Sequence, residues 1–367
     1  MTEWKKYRIK DISKKINSGG TPKSSEKSFY DGTIPWLNTK EIDFNRIRKT
    51  ERCITDEGFA NSSAKWIPKG SVIVAMYGAT AAKVAYSLID LTTNQACCNM
   101  IVDDTIADSQ FVYYYIQSSY QELLNLACGA AQQNLSLGVI ADFPILLPPL
   151  DTQRRIASIL SSLDDKIDLL RRENTTLEAM AETLFRQWFV EEAKEEWEDV
   201  LLGDLIDIGS GKGLQRSEFV ENGLYSILGA NGEIGKTNKY LVSESDRVIY
   251  TGRVGTLGNV FRIENKKAWL SDNTLVVRPK DYYYFVYFVL KCARLQDFNV
   301  GSTQPLIRQS DIKEIEISLP DGNSLKAFEK ECNDLYKKID SNNNQIQTLI
   351  QTRDELLPRL MGGEVKI

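Results

Sequence analysis

Polar and apolar positions alternate in a four-three rhythm through residues 147–188, LPPLDTQRRIASILSSLDDKIDLLRRENTTLEAMAETLFRQW. Ile156, Leu160, Leu163, Ile167 and Leu170 are followed by Leu177, Ala181, Leu184 and Trp188, and only Asn174 breaks the apolar character. An apolar residue every 3.5 positions predicts a long helix that buries a seam against another helix. Pro148 and Pro149 stop whatever precedes it, because proline lacks a backbone donor and excludes the α conformation just upstream. Asp151 or Thr152 is then placed to cap the helix.

The seam returns. It reads Phe328, Cys332, Leu335, Ile339, Asn342, Ile346, Leu349, Arg353, Leu356 and Leu360, and Lys166-Ile167-Asp168 recurs as Lys338-Ile339-Asp340, an offset of 172. The lead-in Leu147-Pro148 recurs as Leu319-Pro320. The chain therefore divides into a globular unit (1–150), a long helix (151–196), a second globular unit (197–320) and a second long helix (321–367). Asn174, Asn342 and Arg353 are polar residues in an apolar seam. They are either register pins, bought at a cost in stability, or a locally wet patch.

The globular units repeat one another more loosely. Trp4 and Asp11 match Trp197 and Asp204, and Phe111-Val112-Tyr113-Tyr114 matches Phe285-Val286-Tyr287-Phe288. Ile34–Asn38, Gly70–Met76 and Phe143–Leu147 read as strands between turn residues, and Phe111 to about Leu126 as a helix. The pattern predicts an α+β chain of two similar α/β units, each followed by a long helix, with a shared scaffold and unlike loops. The tyrosine runs at 113–115 and 282–284 read as core at helical spacing, rather than as base-stacking platforms.

Composition narrows the chemistry. There is no histidine, which excludes His-based nucleophilic triads and His-containing zinc sites. The six cysteines show no metal or disulfide spacing, and no run is apolar enough to span a membrane. With no signal-peptide pattern at the N-terminus, the expectation is a cytoplasmic protein with reduced thiols. Net charge is −5, yet residues 1–52 carry 13 Lys or Arg against 7 Asp or Glu, and residues 151–196 carry 7 against 11. Basic charge is local, and a nucleic-acid binder needs only a basic face.

The candidate contacts are loops. Gly209-Ser210-Gly211-Lys212-Gly213 imitates a cofactor-binding glycine loop, but the polar stretch through Gln215 and Arg216 is no Rossmann helix, and Gly213 stands where a P-loop needs Ser or Thr. A flexible loop whose amides and Lys212 approach a phosphate is the better reading. Gly252–Gly258 is a second glycine-rich turn, either a plain hairpin or a close approach to DNA with Arg253 facing a guanine edge or a phosphate. Its positional partner is Tyr77–Thr80 with Lys83. Gln132, Gln133 and Asn134 hold amides where Thr303, Gln304 and Arg308 stand in the second unit. These can pair with adenine and guanine, or merely solvate and cap a loop. Lys23, Asn38 and Lys40 in the basic N-terminal segment carry the same two readings.

The double repeat, the LPPLDTQRRIASILSSLDDKIDLL junction and the ENTTLEAMAETLFRQWF continuation together resemble the specificity subunit of a type I restriction–modification system, over essentially the whole chain. The resemblance implies that the two globular units are target recognition domains, each reading half of a bipartite double-stranded DNA site. It implies that the two long helices pair as an antiparallel coiled coil, set the gap, and dock two modification (methyltransferase) subunits. Catalysis, S-adenosylmethionine, and the ATP and Mg²⁺ of restriction (nuclease–translocase) subunits would then belong to partners, with no cofactor, metal or membrane for this chain. At 1.5 Å per residue, Ile156–Trp188 spans roughly 48 Å, or about 14 base pairs of duplex at 3.4 Å each. Other readings are a related type IIB-like modification system, a stand-alone DNA methyltransferase, and a protein scaffold with no DNA role.

Overall fold

In the computed structural model, which describes residues 4–127, 134–301 and 303–364, the two seams form the two longest helices. The first runs Leu150–Arg186 and closes in a wider turn, Gln187–Glu191; the second runs Gly322–Met361. The start of the first differs from the expectation. The Pro149 carbonyl accepts from the Thr152 and Gln153 amides at 2.9 and 3.0 Å. Asp151 therefore lies inside the first turn, as an acid beside the positive helix end, and not at the cap.

Residues 1–170 with 345–367 form one compact unit, and residues 171–344 form another. Each unit thus packs a portion of both long helices under its own sheets. In the first unit, a five-stranded sheet runs in the order Ser13–Ser18, Cys97–Val102, Val72–Ala75, Val84–Ser87, Asn45–Ile47. Val72–Ala75 and Val84–Ser87 are buried at every position, as expected of strands covered on both faces. A second sheet orders Arg52–Ile54, Tyr30–Leu37, Leu91–Thr93, Trp66–Ile67, and a separate ladder pairs Lys5–Arg8 with Pro144–Leu147.

The second unit repeats this plan. Its four-stranded sheet runs Ile206–Ser210, Thr274–Pro279, Val248–Gly252, Val260–Ile263, and its ladder pairs Glu198–Leu201 with Glu316–Leu319. In both units the second sheet holds one parallel pair, Tyr30–Leu37 with Leu91–Thr93 and Tyr225–Gly229 with Ala268–Leu270. The tyrosine-rich segments are core. Tyr113, Tyr114, Tyr283 and Tyr284 are buried in helices Ser109–Ser118 and Tyr283–Cys292. The helix expected to reach Leu126 breaks at Ser119, and a separate helix covers Tyr120–Asn125.

Ile156, Leu160, Ile167, Leu170, Phe328, Ile339, Asn342 and Ile346 are buried. Leu163, Leu177, Leu184, Leu335, Leu349 and Leu356 are only half-buried, and Asn174 with them. Asp164, Phe185, Tyr336 and Leu357, each one position further on, go deeper than their leucine neighbours. The reason is geometric: each long helix is covered both by a helix and by a globular core, so its buried stripe is wider than a two-position seam. Among the described residues no helix is long and apolar enough to cross a membrane.

Candidate nucleic-acid interface

In the second unit, three of the candidate segments meet at one end of the four-stranded sheet. Strand Ile206–Ser210 and strand Val248–Gly252 flank the strand that starts at Thr274, with Ser210 opposite Leu275 and Gly252 opposite Thr274. Both therefore end at the same edge. A Cβ on Gly252 would lie 2.0 Å from the Thr256 carbonyl oxygen, and Gly255 and Gly258 have φ +85° and +95°, so the turn is tight and both of these positions are left-handed. Arg253 follows directly. Its amide donates to the Asn273 carbonyl at 2.7 Å, and its carbonyl accepts from the Ile307 amide at 3.0 Å. The turn is tied to the 299–308 loop by a bridge between Val254 and Leu306 and by the Gly255 amide donating to the Pro305 carbonyl. At the tip, Arg253 Nη1 donates to Ser210 Oγ at 3.2 Å, and Gln309 Nε2 donates to the same oxygen at 3.1 Å. Asn231 Nδ2 donates to Thr256 Oγ1 and Asn259 Nδ2 to Asn231 Oδ1, adding amides to the same rim.

The first unit builds the same backbone with other side chains. Ser18 stands opposite Cys98, and Ala75 opposite Cys97, so Ser18 answers Ser210 and Ala75 answers Gly252. The next residue, Met76, donates its amide to the Ala96 carbonyl and accepts from the Leu135 amide, both at 2.8 Å, the same two bonds that Arg253 makes. Tyr77 bridges Asn134 as Val254 bridges Leu306. The structure thus brings the Tyr77 turn and Asn134 together, as it brings Arg253 to the 299–308 loop. Gln132 and Gln133 lie outside the described residues.

Other candidates sit differently. The Gly211 and Lys212 amides donate to the Thr274 and Leu270 carbonyls, so those two amides are not available to a phosphate as expected; the turn needs them to close over the parallel strand pair. The Lys212 side chain is exposed. Asn38 and Gln215 each precede a short helical turn: Asn38 Oδ1 accepts from the Lys40 amide at 3.3 Å, and the Gln215 amide donates to Glu218 Oε2 at 3.2 Å. Lys40 is paired with Glu51 at 2.6 Å, which raises its pKa, and Lys83 with Asp43 at 2.6 Å. Lys23, Arg216, Thr303, Gln304 and Arg308 are exposed, and the Arg308 amide donates to Asp311 Oδ2 at 3.1 Å.

Two arginine clamps had no signature in the sequence. Arg46, with 4% of its side chain exposed, reaches Asp165 at 2.9 Å and Asp168 at 2.6 Å on the first long helix. Arg262 reaches Asp340 at 3.2 Å on the second and lies 3.9 Å from the Tyr336 ring centre. Asp168 and Asp340 are the repeated KID aspartates, but the arginines come from non-equivalent strands, Asn45–Ile47 and Val260–Ile263. A constant offset reveals the aspartates and hides their partners. Burial works against both guanidinium charges, and the facing carboxylates outweigh it, raising both pKa values.

Among the described residues no three His, Cys, Asp or Glu side chains converge to hold a metal ion. Cys97, Cys98 and Cys332 are buried, and burial pushes all three thiols up, Cys98 to about 12. They are core residues and not nucleophiles.

The family described as type I restriction modification DNA specificity domain matches the chain twice, over residues 1–179 and 194–351. The chain is 26% identical to the type I restriction enzyme MjaIX specificity subunit of Methanocaldococcus jannaschii, covering 100% of this chain and 94% of that one. It is 21% identical to the HindI specificity subunit of Haemophilus influenzae, covering 100% of both. Among solved structures, the S subunit of a type I restriction–modification system from M. genitalium superposes with a TM-score of 0.60 at 19% identity, over 97% of this chain and 96% of that one. That likeness supports the same fold: two α/β units, with two long helices pairing as an antiparallel coiled coil.

Proposed function

The chain belongs to the type I restriction–modification DNA specificity family, and from that premise we propose that each unit reads one half of a bipartite, asymmetric DNA site. The observation that carries this is the pair of matching loop ends, one backbone plan with Met76, Tyr77 and Asn134 in one unit and Arg253, Val254 and Leu306 in the other. A shared scaffold places both loop clusters alike on a duplex, while unlike side chains read unlike bases. The long helices set the gap between half-sites. The acidic first helix region, a poor surface for DNA, is the docking face for two modification subunits. Methyl transfer with S-adenosylmethionine, and cleavage with ATP and Mg²⁺ by restriction subunits, belong to those cytoplasmic partners.

Methylome sequencing of cells carrying the chain with its modification subunits tests this. The expected motif has two unlike half-sites and an unspecified gap. Replacing residues 197–320 with another recognition domain should change one half-site only. Deleting one heptad from each long helix should shorten the gap by about three base pairs. Tight stoichiometric binding of S-adenosylmethionine to the isolated chain, or a gap unmoved by the deletions, would overturn the corresponding part of the reading.

A further inference from the structure

We propose that Arg253 reads a guanine in the half-site of the second unit, and that Ser210 is the positioning residue that sets the plane of its guanidinium. This rests on the reading of the chain as a DNA specificity subunit and goes beyond it, by naming a base, a unit and a residue.

Four arginines of the described residues are half-buried: Arg46, Arg253, Arg262 and Arg353. Three of them face carboxylates, Asp165 and Asp168, Asp340 and Glu264, and Asp164 and Asp354. Among the described residues Arg253 faces none, and its one side-chain bond there is to a serine hydroxyl. The chain does not lack acids, with 50 Asp and Glu against 45 Lys and Arg. A partly desolvated cation without a counter-charge is unfavourable unless a ligand supplies acceptors.

The fold does not need an arginine here. Met76 occupies the same backbone position in the first unit, makes the same two main-chain bonds and is 3% exposed in the core. The scaffold is content with an apolar side chain, so the cation of the second unit is an addition to it.

The geometry favours a base edge over a phosphate. Main-chain bonds to Asn273 and Ile307 fix the root of Arg253, and Ser210 holds Nη1. Among the described residues the Nε–Nη2 edge has no protein acceptor. That edge offers two parallel donors, which match the O6 and N7 acceptors of guanine in the major groove. A phosphate can take the same fork, but phosphate contacts only position a protein on the duplex and would be wanted at the matching place in both units, whereas Met76 stands there in the first. Gln309, on the same Ser210 oxygen, braces the hydroxyl.

The test uses the full chain with its modification subunits. The wild-type motif is read first, and the half-site of the second unit is identified by exchanging residues 197–320. Arg253→Met, which installs the residue of the first unit, should lower preference for guanine at one position of that half-site by about 5- to 150-fold and leave the other half-site unchanged. Ser210→Ala should relax the same position to a smaller extent, and Ser210→Thr should restore it. Duplexes with 7-deazaguanine at that position should bind the wild-type chain more weakly and Arg253→Met no differently. Uniform loss of methylation with an unchanged motif, together with indifference of the wild-type chain to 7-deazaguanine, would assign Arg253 to a phosphate and overturn the inference alone. Absence of any bipartite motif in the wild type would overturn the underlying reading as well.

Discussion

Where the long helices pass beneath the aromatic helix of each unit, one unit is held by ions and the other by rings. In the first, Tyr114 Oη donates to Asp164 Oδ2 at 2.6 Å, and Arg353 Nη1 donates to Asp164 Oδ1 at 2.9 Å. Shifted by the repeat, these three positions become Phe288, Tyr336 and Ala181, all buried in the core of the second unit. Tyr336 stacks on Tyr284 with centroids 5.0 Å apart, and Phe288 stacks on Phe185 at 5.5 Å. A second layer differs in the opposite sense. Leu170 and Ile346 pack together in the first unit, while their equivalents in the second are Asn342 and Asn174, bonded at 2.9 Å. Both contrasts teach the same thing. In each polar layer a residue of one long helix is bonded to a residue of the other, Arg353 to Asp164 and Asn342 to Asn174. A first helix paired with a copy of itself would set Asp164 against Ala181 and Asn174 against Leu170. A second helix paired with its own copy would set Arg353 against Tyr336 and Asn342 against Ile346. The polar layers make the two halves complementary without making them interchangeable.

Removing the cation of the ionic layer should have the largest effect. Arg353→Ala leaves Asp164, whose side chain is 8% exposed, with Tyr114 as its one remaining donor among the described residues. Stranding a buried charge costs about 3–5 kcal/mol, read as a lower denaturation midpoint of the first unit. The triple variant Tyr114→Phe, Asp164→Tyr, Arg353→Ala installs the apolar solution of the second unit. It should return to within about 1 kcal/mol of the parent or exceed it, because well-packed apolar groups replace buried ion pairs at little net cost. A triple variant as unstable as Arg353→Ala would break the equivalence of the two sites.

These layers also show what a sequence can and cannot reveal. The long helices were legible from their four-three spacing, and the repeat from its constant offset, because both depend on local periodicity. Asn342 was legible as a polar residue at an apolar position. Asp164 was not, because it stands beside Leu163 and looks like a solvated helix residue; only Tyr114, fifty positions earlier, and Arg353, near the C-terminus, give it a reason to be buried. The loop ends follow the same rule. Arg253 was visible as a charge in a glycine turn, but Ser210 and Gln309 came to it through strand register. The hidden equivalence of Met76 and Arg253 rests on matching main-chain bonds, between residue types that share no chemistry. The engagement of the Gly211 and Lys212 amides of the 209–213 loop was hidden for the same reason, since the carbonyls of Thr274 and Leu270 that take them are remote in sequence.

The amide layer should give a smaller, two-signed effect. Asn342 is 0% exposed, donates to Glu173 and Asn174, and leaves its own Oδ1 without a partner. Asn342→Leu alone should cost about 1–2 kcal/mol by depriving Asn174 of its donor. Adding Asn174→Ile, which copies the Leu170–Ile346 layer, should recover that loss and gain about 1 kcal/mol over the parent. Combined with the triple variant, this chain has lost both devices against self-pairing. Analytical ultracentrifugation should then find a larger dimer fraction than in the parent at equal concentration. An unchanged fraction would mean that the polar layers stabilise pairing without selecting it.

The smallest expected effect concerns how each aromatic helix is capped. In the first unit, Asp108 accepts from the Phe111 amide at 2.9 Å, a local cap. In the second, Tyr282 is left-handed with φ 52° and offers no side-chain cap, and the Phe285 amide donates instead to Glu329 Oε1 at 2.9 Å, a residue of the long helix. Burial raises the Glu329 pKa, opposed by the Phe285 and Tyr284 amides and by Arg247. A carboxyl raised in the folded state binds its proton there more tightly than in the unfolded chain. Its contribution is therefore fully present below the unfolded pKa of about 4.3 and is lost as pH rises through the folded value. Thermal unfolding of the second unit should show this decline between pH 4 and neutrality. Glu329→Gln keeps an acceptor for Phe285 and cannot ionise, so the difference between parent and variant should narrow toward low pH and widen in the variant's favour toward neutrality. The first unit, capped by Asp108, should show no change on this substitution. A parent–variant difference that did not vary with pH would mean that the amide hydrogen bonds and Arg247 cancel the effect of burial, leaving the folded pKa at its unfolded value.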